Sequence, residues 1–324
     1  MAFQKFKKDQ ATAYYTIAFY NLENLFDTFD DKFTYDNDFL PKSEKQWTQK
    51  RYRKKLTKLG RVISQIGTKT SGNVPVIVGL AEVENRLVVS DLIHSKSLKD
   101  KPLDLVHFDS PDDRGIDVAL IYNTDYFKVE DTTVFPLQLF DENDKRDYTR
   151  DILLVEGFLN DEKIYVIVNH WPSRREGVEV SEPKRLTASS KVIEIMDLIK
   201  EKDADAKIII MGDFNDNPSD KSIKQLSQSH DLHNPMETLL SYSRGTLNYR
   251  FDWNIFDQIL FTTNFFAFNP KGHSFSKANI FDNDFLKQFK GKYKGLPFRT
   301  YVGRKYKGGF SDHFPVYIHL KKKS

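Results

Sequence analysis

The sequence contains no cysteine, and its 49 lysines and arginines nearly balance its 46 aspartates and glutamates, for a formal net charge of +3. The lack of cysteine excludes disulfide bonds and thiolate metal sites. The near balance of charge disfavours a dedicated nucleic-acid binder, so any affinity for a polyanion must come from local basic clusters. Long apolar runs are also missing, because no stretch reaches the ~18 apolar residues that a membrane span requires.

The N-terminal residues 1–10 are polar and rich in lysine, without the apolar segment of a signal peptide. Together with the absence of cysteine, this composition favours a cytoplasmic location, and export stays open if a leader has been removed. We predict a flexible tail at residues 1–13, one domain at residues 14–320 and a basic tail at residues 321–324. We expect a monomer with no membrane span.

The sequence has enough apolar material for a core, with 39% hydrophobic and 14% aromatic residues. Short apolar runs predict buried strands, and apolar residues at intervals of three and four predict helices. The predicted strands cover residues 14–20, 75–80, 117–122, 152–158, 163–169, 207–211, 256–261 and 314–320. The predicted helices cover residues 47–66, 88–94 and 181–200. The pattern therefore predicts one α/β domain with two packed sheets and helices on the outside.

Polar side chains occur at the ends of these strands. Five of them follow a predicted strand: Asn21, Glu82, His170, Asp213 and Asn215. Two others, Asp257 and Asp312, lie at the beginning of a strand. Side chains at strand ends and at strand beginnings reach the same rim if the strands of two packed sheets run in opposite directions. The sequence therefore predicts one polar cleft along an edge of the sheets.

The chemistry of this cleft is suggested by the segments Gly212-Asp213-Phe214-Asn215 and Ser311-Asp312-His313. Carboxylate and amide oxygens are ligands that suit a hard cation such as Mg²⁺, which needs only one or two protein carboxylates. An adjacent Asp and His suit proton handling at neutral pH. Together the two segments indicate metal-assisted attack of water on a phosphate ester.

Three residues are candidate metal ligands: Asn21, Glu82 and Asp312. Glu82 follows a buried strand and could project its carboxylate into the cleft. Glutamate is usually exposed, so the alternative for Glu82 alone is a solvated loop carboxylate. The repetition of polar residues at other strand ends favours the functional interpretation.

The candidate general base is His313, with Asp257 orienting its imidazole. Alternatively, Asp213 positions the attacking water, and Asn215 anchors either the water or the phosphate. The sequence leaves open which of these groups takes the proton.

His170 precedes Trp171-Pro172-Ser173-Arg174-Arg175, a segment with several donors for phosphate oxygens. We interpret His170 as a ligand of the phosphate or of the leaving group, with a structural histidine as the alternative. Three arginines are candidate substrate ligands: Arg114, Arg150 and Arg174. For each of them a surface salt bridge is the alternative.

Several aromatic residues in the C-terminal third of the chain could stack on bases or sugars. Trp253 and Tyr293 are among them. Core packing is the alternative for these side chains.

The chain resembles the endonuclease/exonuclease/phosphatase superfamily of DNase I-like nucleases and Mg²⁺-dependent phosphodiesterases, most closely a bacterial endonuclease-like branch. Seven segments carry the resemblance in the family's order: FYNLENLFD from Phe19, GLAEVEN from Gly79, RGIDVALIY from Arg114, NHWPSR from Asn169, GDFND from Gly212, FDQIL from Phe256 and SDHFPV from Ser311. The resemblance implies a four-layered α/β sandwich, in which two packed, mostly antiparallel mixed β-sheets are flanked by helices.

The resemblance also implies roles for the candidate residues. Asn21 and Glu82 would lie near the metal with Asp312 as a further ligand. Asp213 and Asn215 would align water and phosphate. His170 would bind phosphate, and Asp257 would pair with His313. The segment that begins at Arg114 would supply a phosphate-contacting or acid residue, either Arg114 or Asp117.

The expected activity is hydrolysis of phosphodiester bonds by in-line attack of water with Mg²⁺ or Mn²⁺, and a nuclease is the first hypothesis. The substrate is a phosphate ester, with nucleic acid as one candidate. Because this fold supports many activities, a phosphatase or phosphodiesterase of small molecules or lipid head groups is the alternative. An inactive binding protein is the second alternative, although the complete set of polar residues argues against it.

Overall fold

The computed structural model describes residues 12–140, 143–267, 269 and 271–323. Two mixed six-stranded sheets form the centre of this part of the chain. The first sheet contains the strands β1 (Thr12–Leu25), β2 (Ile77–Val83), β3 (Leu103–His107), β4 (Asp117–Asn123), β15 (Ser274–Ile280) and β18 (Val316–Lys323). Their order across the sheet is β15-β18-β1-β2-β4-β3.

The second sheet contains the strands β5 (Phe127–Phe135), β8 (Ile152–Leu159), β9 (Glu162–His170), β10 (Ile208–Asp213), β11 (Leu232–His233) and β14 (Asp257–Thr262). Their order is β11-β14-β10-β9-β8-β5. Three short hairpins complete the strands: β6 (Leu139–Phe140) with β7 (Arg146–Asp147), β12 (Leu247–Tyr249) with β13 (Asp252–Asn254), and β16 (Tyr301–Val302) with β17 (Lys305–Tyr306).

Five α-helices connect these strands: α1 (Gln49–Ile63), α2 (Thr68–Ser71), α3 (Arg86–Ile93), α4 (Val178–Lys202) and α5 (Lys221–Ser227). The helices α1 and α3 contact each other and strands of the first sheet, whereas α4 and α5 contact each other and pack on the second sheet. This arrangement confirms the predicted sandwich of two sheets flanked by helices.

The two sheets pack face to face at the strands β2 and β10, and Gly79 permits their close approach. A Cβ atom on Gly79 would lie 2.5 Å from the Sδ atom of Met211, a separation that real contacts do not reach. Both sides of this interface are apolar, and Met211 is fully buried. Burial of the central strands on both faces explains why they read as continuous apolar runs in the sequence.

The predicted boundaries need correction at both ends of the domain. β1 already begins at Thr12, and β18 continues to Lys323, where these two residues pair. Residues 12–13 and 321–323 therefore belong to the first sheet and not to tails, because each supplies backbone hydrogen bonds to the other. The remaining tail predictions, at residues 1–11 and 324, lie outside the described residues.

β1 also runs further than predicted, to Leu25, with an irregular register between Asn21 and Leu25. Glu23 and Asn24 adopt positive φ angles of 52° and 55° within this irregularity. The register shift falls beside Asn21, one of the predicted site residues.

Within the described part of the chain, no helix combines the length and apolar character needed to cross a bilayer.

Candidate active site

The site is built around Asp213, the last residue of β10 in the middle of the second sheet. On one side Asp213 is in register with His170 of the parallel strand β9, and on the other with Asp257 of the antiparallel strand β14. The register therefore brings three predicted site residues to one rim. Gly212 makes this close pairing possible, because a Cβ atom there would lie 2.4 Å from the carbonyl oxygen of Asn169.

Asp213 is almost completely buried and is surrounded by donors. Its Oδ2 atom accepts a hydrogen bond from Nδ2 of Asn21 at 2.9 Å, which joins the two sheets. Its Oδ1 atom accepts the backbone N–H of Asn215 at 3.0 Å. Oδ2 also lies 3.8 Å from Nε2 of His170 and 3.9 Å from Nε2 of His313. Burial raises the pKa of the Asp213 carboxyl to about 6, against the lowering effect of His313.

His313 and Asp257 form a hydrogen-bonded pair, with Nδ1 of the imidazole 2.7 Å from Oδ2 of the carboxylate. Asp257 is fully buried, whereas the His313 ring is 11% exposed. Burial alone would lower the pKa of His313, but the carboxylates of Asp257 and Asp213 outweigh it and hold this pKa well above its ordinary value. The pair leaves Nε2 of His313 directed toward Asp213.

The surroundings of the second histidine, His170, shift its pKa in the opposite direction. Burial, reinforced by the positive charges of Arg150 and Arg114, holds the pKa of His170 well below its ordinary value. Its Nδ1 atom is buried without a hydrogen-bond partner among the described residues. Two imidazoles therefore lie 3.8 and 3.9 Å from Asp213, and their pKa values are shifted in opposite directions.

Asn215 and Glu82 are both held in the left-handed backbone region, with φ angles of 52° and 61°. Non-glycine residues in this region cost of order 1–3 kcal/mol each and are concentrated at functional sites. The Nδ2 atom of Asn215 donates to the carbonyl of Trp171 at 2.9 Å. Oε2 of Glu82 accepts the backbone N–H of Asn24 at 2.8 Å. Both side chains are thus fixed in direction.

The three predicted metal ligands lie where the bent end of β1 meets β2 and the loop before β18. Asn21 pairs in register with Ala81, the neighbour of Glu82. The Oε1 atom of Glu82 makes no hydrogen bond within the described residues and lies 3.8 Å from the Arg114 guanidinium. Asp312 is partly exposed, at 31%. The carboxylates of Glu82 and Asp312, each already paired with an arginine, are oxygen donors of the kind that a hard divalent cation takes.

Sequence reasoning missed three residues that surround this oxygen set: Glu23, Lys55 and Arg299. Arg299 donates to Oδ2 of Asp312 at 2.6 Å, and Lys55 donates to the backbone carbonyl of Glu23. Burial and the charge of Asp312 raise the pKa of Glu23 to about 7. Glu23 lies within the segment FYNLENLFD that carries the resemblance, where only Asn21 was singled out, whereas the sequence around Arg299 offers no signal.

Two groups of side chains in the described residues bring three possible ligand atoms within 4.8 Å of one another. One consists of Asp213, Asp257 and His313, in which the 2.7 Å hydrogen bond already occupies one carboxylate oxygen and one ring nitrogen. The other consists of His107, Asp109 and Asp117, where Asp117 is bonded to His107 at 3.0 Å and to the backbone N–H of Ser110.

The arginines predicted to bind substrate differ in how far their donors are already used. Arg174 is engaged on three sides, by the carbonyl of Asn215 at 2.6 Å and by the carboxylates of Asp216 and Asp220. Its guanidinium also lies over the ring of Phe256. These contacts tie the loop after β10 to the segment after β9, and they leave Arg174 few donors for a substrate.

Arg114 and Arg150 line a cavity of about 190 Å³ together with Arg175. Arg150 is buried, donates to Asp112 at 3.0 Å and to the carbonyl of Trp171 at 2.7 Å, and keeps an unpartnered Nε. Arg175 makes no hydrogen bond or ion pair to the residues that the structure describes. The charge of Arg114, followed by burial, lowers the pKa of Arg175.

Acidic residues line the same cavity, but three of the four are paired. Asp112 pairs with Arg150, and Lys184 lies 2.7 Å from both Asp147 and Glu176. The cavity therefore keeps three arginines with unused donors, Arg114, Arg150 and Arg175, and the charges of all three act on His170.

The α/β sandwich of this chain is the fold of a family of metal-dependent phosphoester hydrolases. The model of the Endonuclease/Exonuclease/phosphatase family matches residues 16–322. The chain therefore belongs to that family, as the sequence resemblance implied, and the family depends on a divalent metal. A comparison with curated proteins gave no match.

Solved structures of the same fold cover nearly the whole chain at low identity. An endonuclease/exonuclease/phosphatase family protein from Bacteroides thetaiotaomicron is 16% identical, with a TM-score of 0.61 over 96% of this chain and 98% of that one. A mannosyl-6-phosphatase from the same species is 17% identical, with a TM-score of 0.59 over 94% and 99%. Truncated TDP2 from Caenorhabditis elegans is 13% identical, with a TM-score of 0.59 over 95% and 97%.

Proposed function

We propose that the protein hydrolyses phosphodiester bonds of nucleic acid by in-line attack of water, with Mg²⁺ as the natural cofactor and Mn²⁺ as a substitute. The observation that carries this proposal is the convergence of His170 and His313 on Asp213, at 3.8 and 3.9 Å, beside a set of oxygen donors. The arrangement offers an acceptor for a water proton and donors for phosphate oxygens within one cleft.

The oxygen set would hold the metal ion through Asn21, Glu82 and Asp312. When bound, the ion supplies positive charge that stabilises the phosphate and the leaving oxygen as negative charge develops. The Glu82 carboxylate is positioned for this role because its other oxygen is fixed by the Asn24 N–H.

Asp213 is the proposed acceptor of the water proton. Its carboxylate is held in one orientation by hydrogen bonds from Asn21 and Asn215. A positioned acid–base group of this kind contributes roughly 10²–10⁴-fold to a rate.

His313 is the proposed donor to the phosphate, because Asp257 holds Nδ1 and leaves Nε2 free to act. A cationic imidazole in a buried site stabilises developing negative charge. His170 is the proposed second phosphate ligand, and Arg114 and Arg175 are the proposed arginine ligands. Arg150 and Arg174 are proposed to hold the surrounding loops.

A small-molecule phosphatase is the second candidate. The small cavity of about 190 Å³ lined by Arg114, Arg150 and Arg175 favours it, since three guanidinium groups around a space of this size suit a single phosphate group. One of the similar structures carries the name mannosyl-6-phosphatase, and its fold matches this chain over nearly its full length.

A substrate panel at one Mg²⁺ concentration distinguishes the candidates. The panel contains single-stranded DNA, plasmid DNA, RNA, mannose 6-phosphate, inositol phosphates and sphingomyelin. We expect nucleic acid to be the preferred substrate and EDTA to abolish its cleavage. Preference for a phosphomonoester would replace the nuclease proposal with the phosphatase.

A further inference from the structure

A cleft of about 420 Å³ opens directly beside the catalytic rim and is not used by any of the roles above. Phe314, the neighbour of His313, forms part of its wall. The ring of Phe314 stacks on Trp253 with centroids 6.0 Å apart, and the backbone N–H of Phe314 donates to the carbonyl of Thr246. The cleft is thus lined by the residue that follows His313 in the chain.

An exposed aromatic pair, Phe251 and Tyr293, lies at the same cleft through Phe251. Phe251 lines the cleft and stacks on Tyr293, with the two rings within 3° of parallel and their centroids 5.8 Å apart. The two residues are 50% and 52% exposed. Core packing therefore does not account for this pair, because half of each residue faces solvent.

Phe251 also occupies a backbone conformation that its side chain disfavours. Arg250 and Phe251 form the two-residue turn between β12 and β13, and both have positive φ angles, of 51° and 71°. Such hairpin turns strongly prefer Asn-Gly or Asp-Gly. A bulky residue at positive φ is an outlier that the local structure must hold in place. The tip of the hairpin therefore carries an aromatic ring at a position where glycine would adopt the backbone conformation with less strain.

Lysines accompany the aromatic wall. Lys292 lies 5.1 Å from the centre of the Phe251 ring and 5.9 Å from that of Tyr293, and Lys294 lines the cleft. Neither makes an ion pair within the described residues, whereas Lys287 in the same cleft is shared with Asp282. Aromatic rings interleaved with free lysines are the combination that binds single-stranded nucleic acid, by stacking of bases and attraction of phosphates.

We propose that this cleft binds an unpaired nucleobase next to the scissile phosphate, so that the substrate is a single-stranded segment of nucleic acid. The inference rests on the proposed nuclease function and specifies its substrate class. A paired base is excluded from stacking on Phe251 and Tyr293, because both of its faces are covered within a duplex.

The test measures binding separately from cleavage. Fluorescence anisotropy follows a labelled eight-residue oligothymidylate, an abasic oligomer of equal length, and a duplex, with Asp213→Asn as the common background to prevent cleavage. We expect tighter binding of oligothymidylate than of the abasic oligomer or the duplex. Phe251→Gly should remove this preference, with at least about fivefold weaker binding of oligothymidylate and no change for the abasic oligomer.

Phe251→Gly removes the aromatic ring and at the same time relieves the strained backbone of the turn. We expect its melting temperature to be equal to or above that of the parent, so a loss of affinity would not reflect unfolding. Phe289→Ala is the matched control, since Phe289 is 68% exposed, packs on Phe298 and does not line the cleft. Equal affinity of Phe251→Gly and its parent for oligothymidylate would overturn the inference.

The two proposals fail in different ways. Base-dependent binding without cleavage of any nucleic acid by the wild-type protein would refute the nuclease function and leave the cleft assignment intact. Metal-dependent cleavage with equal affinity for the abasic and thymidylate oligomers would refute the cleft assignment alone.

Discussion

The Nδ1 atom of His313 lies 2.7 Å from Oδ2 of Asp257, although 56 positions separate the two residues in the sequence. Asp257 begins β14 of the second sheet, and His313 precedes β18 of the first. The hydrogen bond therefore connects the two sheets at the rim where Asn21 also reaches across to Asp213. The rim is held together by the same side chains that are proposed to perform the chemistry.

Asp257→Asn should lower kcat by roughly 10²–10⁴-fold with little change in KM, because an amide neither fixes the ring tautomer nor stabilises the imidazolium. Steady-state kinetics on a single-stranded oligonucleotide measures the effect. Thermal unfolding followed by circular dichroism is the control for folding. Near-normal kcat in a folded variant would show that His313 takes no part in catalysis.

Glu82→Gln should weaken Mn²⁺ binding by at least about tenfold, because a carboxylate ligand is replaced by a neutral amide of the same shape. Titration of free Mn²⁺ by electron paramagnetic resonance measures affinity without any substrate. Asp109→Asn is the matched control, since Asp109 belongs to the other group of possible ligand atoms. A larger loss of Mn²⁺ affinity in the control variant would indicate that the metal binds to the group of His107, Asp109 and Asp117 instead.

Arg174→Gln and Arg175→Gln should separate a structural arginine from a substrate-binding neighbour. Loss of Arg174 leaves the buried Asp216 with one partner fewer, so we expect a loss of unfolding free energy of about 1–3 kcal/mol. Loss of Arg175, which makes no ion pair within the described residues, should raise KM and leave the melting temperature unchanged. Denaturant unfolding and steady-state kinetics on both variants check this division, and the reverse pattern would contradict it.

His319 should make folding stability depend on pH. Burial, with the charge of Lys277, lowers its pKa from 6.5 to about 4. The fold thus favours the neutral ring, so the stability from His319 is complete above pH 6.5 and is lost as pH falls from 6.5 toward 4. The loss should be on the order of 2 kcal/mol. His319→Gln should flatten unfolding free energy across this range, while replacing the exposed His94 should leave the slope unchanged.

The central strands of both sheets were predictable because burial on two faces leaves an uninterrupted apolar run, as in β2 and β10. The edge strands β3, β5 and β15 were not predicted. Each carries polar residues on an exposed side, and the burial pattern of β5 is mostly intermediate or exposed. Their pairing with a neighbour stabilises them, and that partner is not visible in the local sequence.

Among the predicted site residues, Asp213 and His170 could be expected to lie together, because each ends a buried strand and the two strands are neighbours in the sheet. Sequence reasoning could not separate Arg174 from Arg175, because adjacent arginines differ only in the acidic residues that the fold brings to them. The strained turn at Arg250 and Phe251 was also missed, since it depends on the register of two three-residue strands. The roles proposed for the other site residues stay predictions, which the variants described above would test.

The central claim is that a divalent ion and Asp213 act together on a phosphodiester at this rim. It is tested most directly by the hydrolysis rate of one single-stranded oligonucleotide by wild-type protein and Asp213→Asn, each treated with EDTA and then supplied with Mg²⁺. We predict no cleavage in EDTA, full recovery of the wild type with Mg²⁺, and at least ~100-fold slower turnover of the variant at saturating Mg²⁺. Full activity in metal-free buffer, or near-normal turnover of folded Asp213→Asn, would contradict the claim.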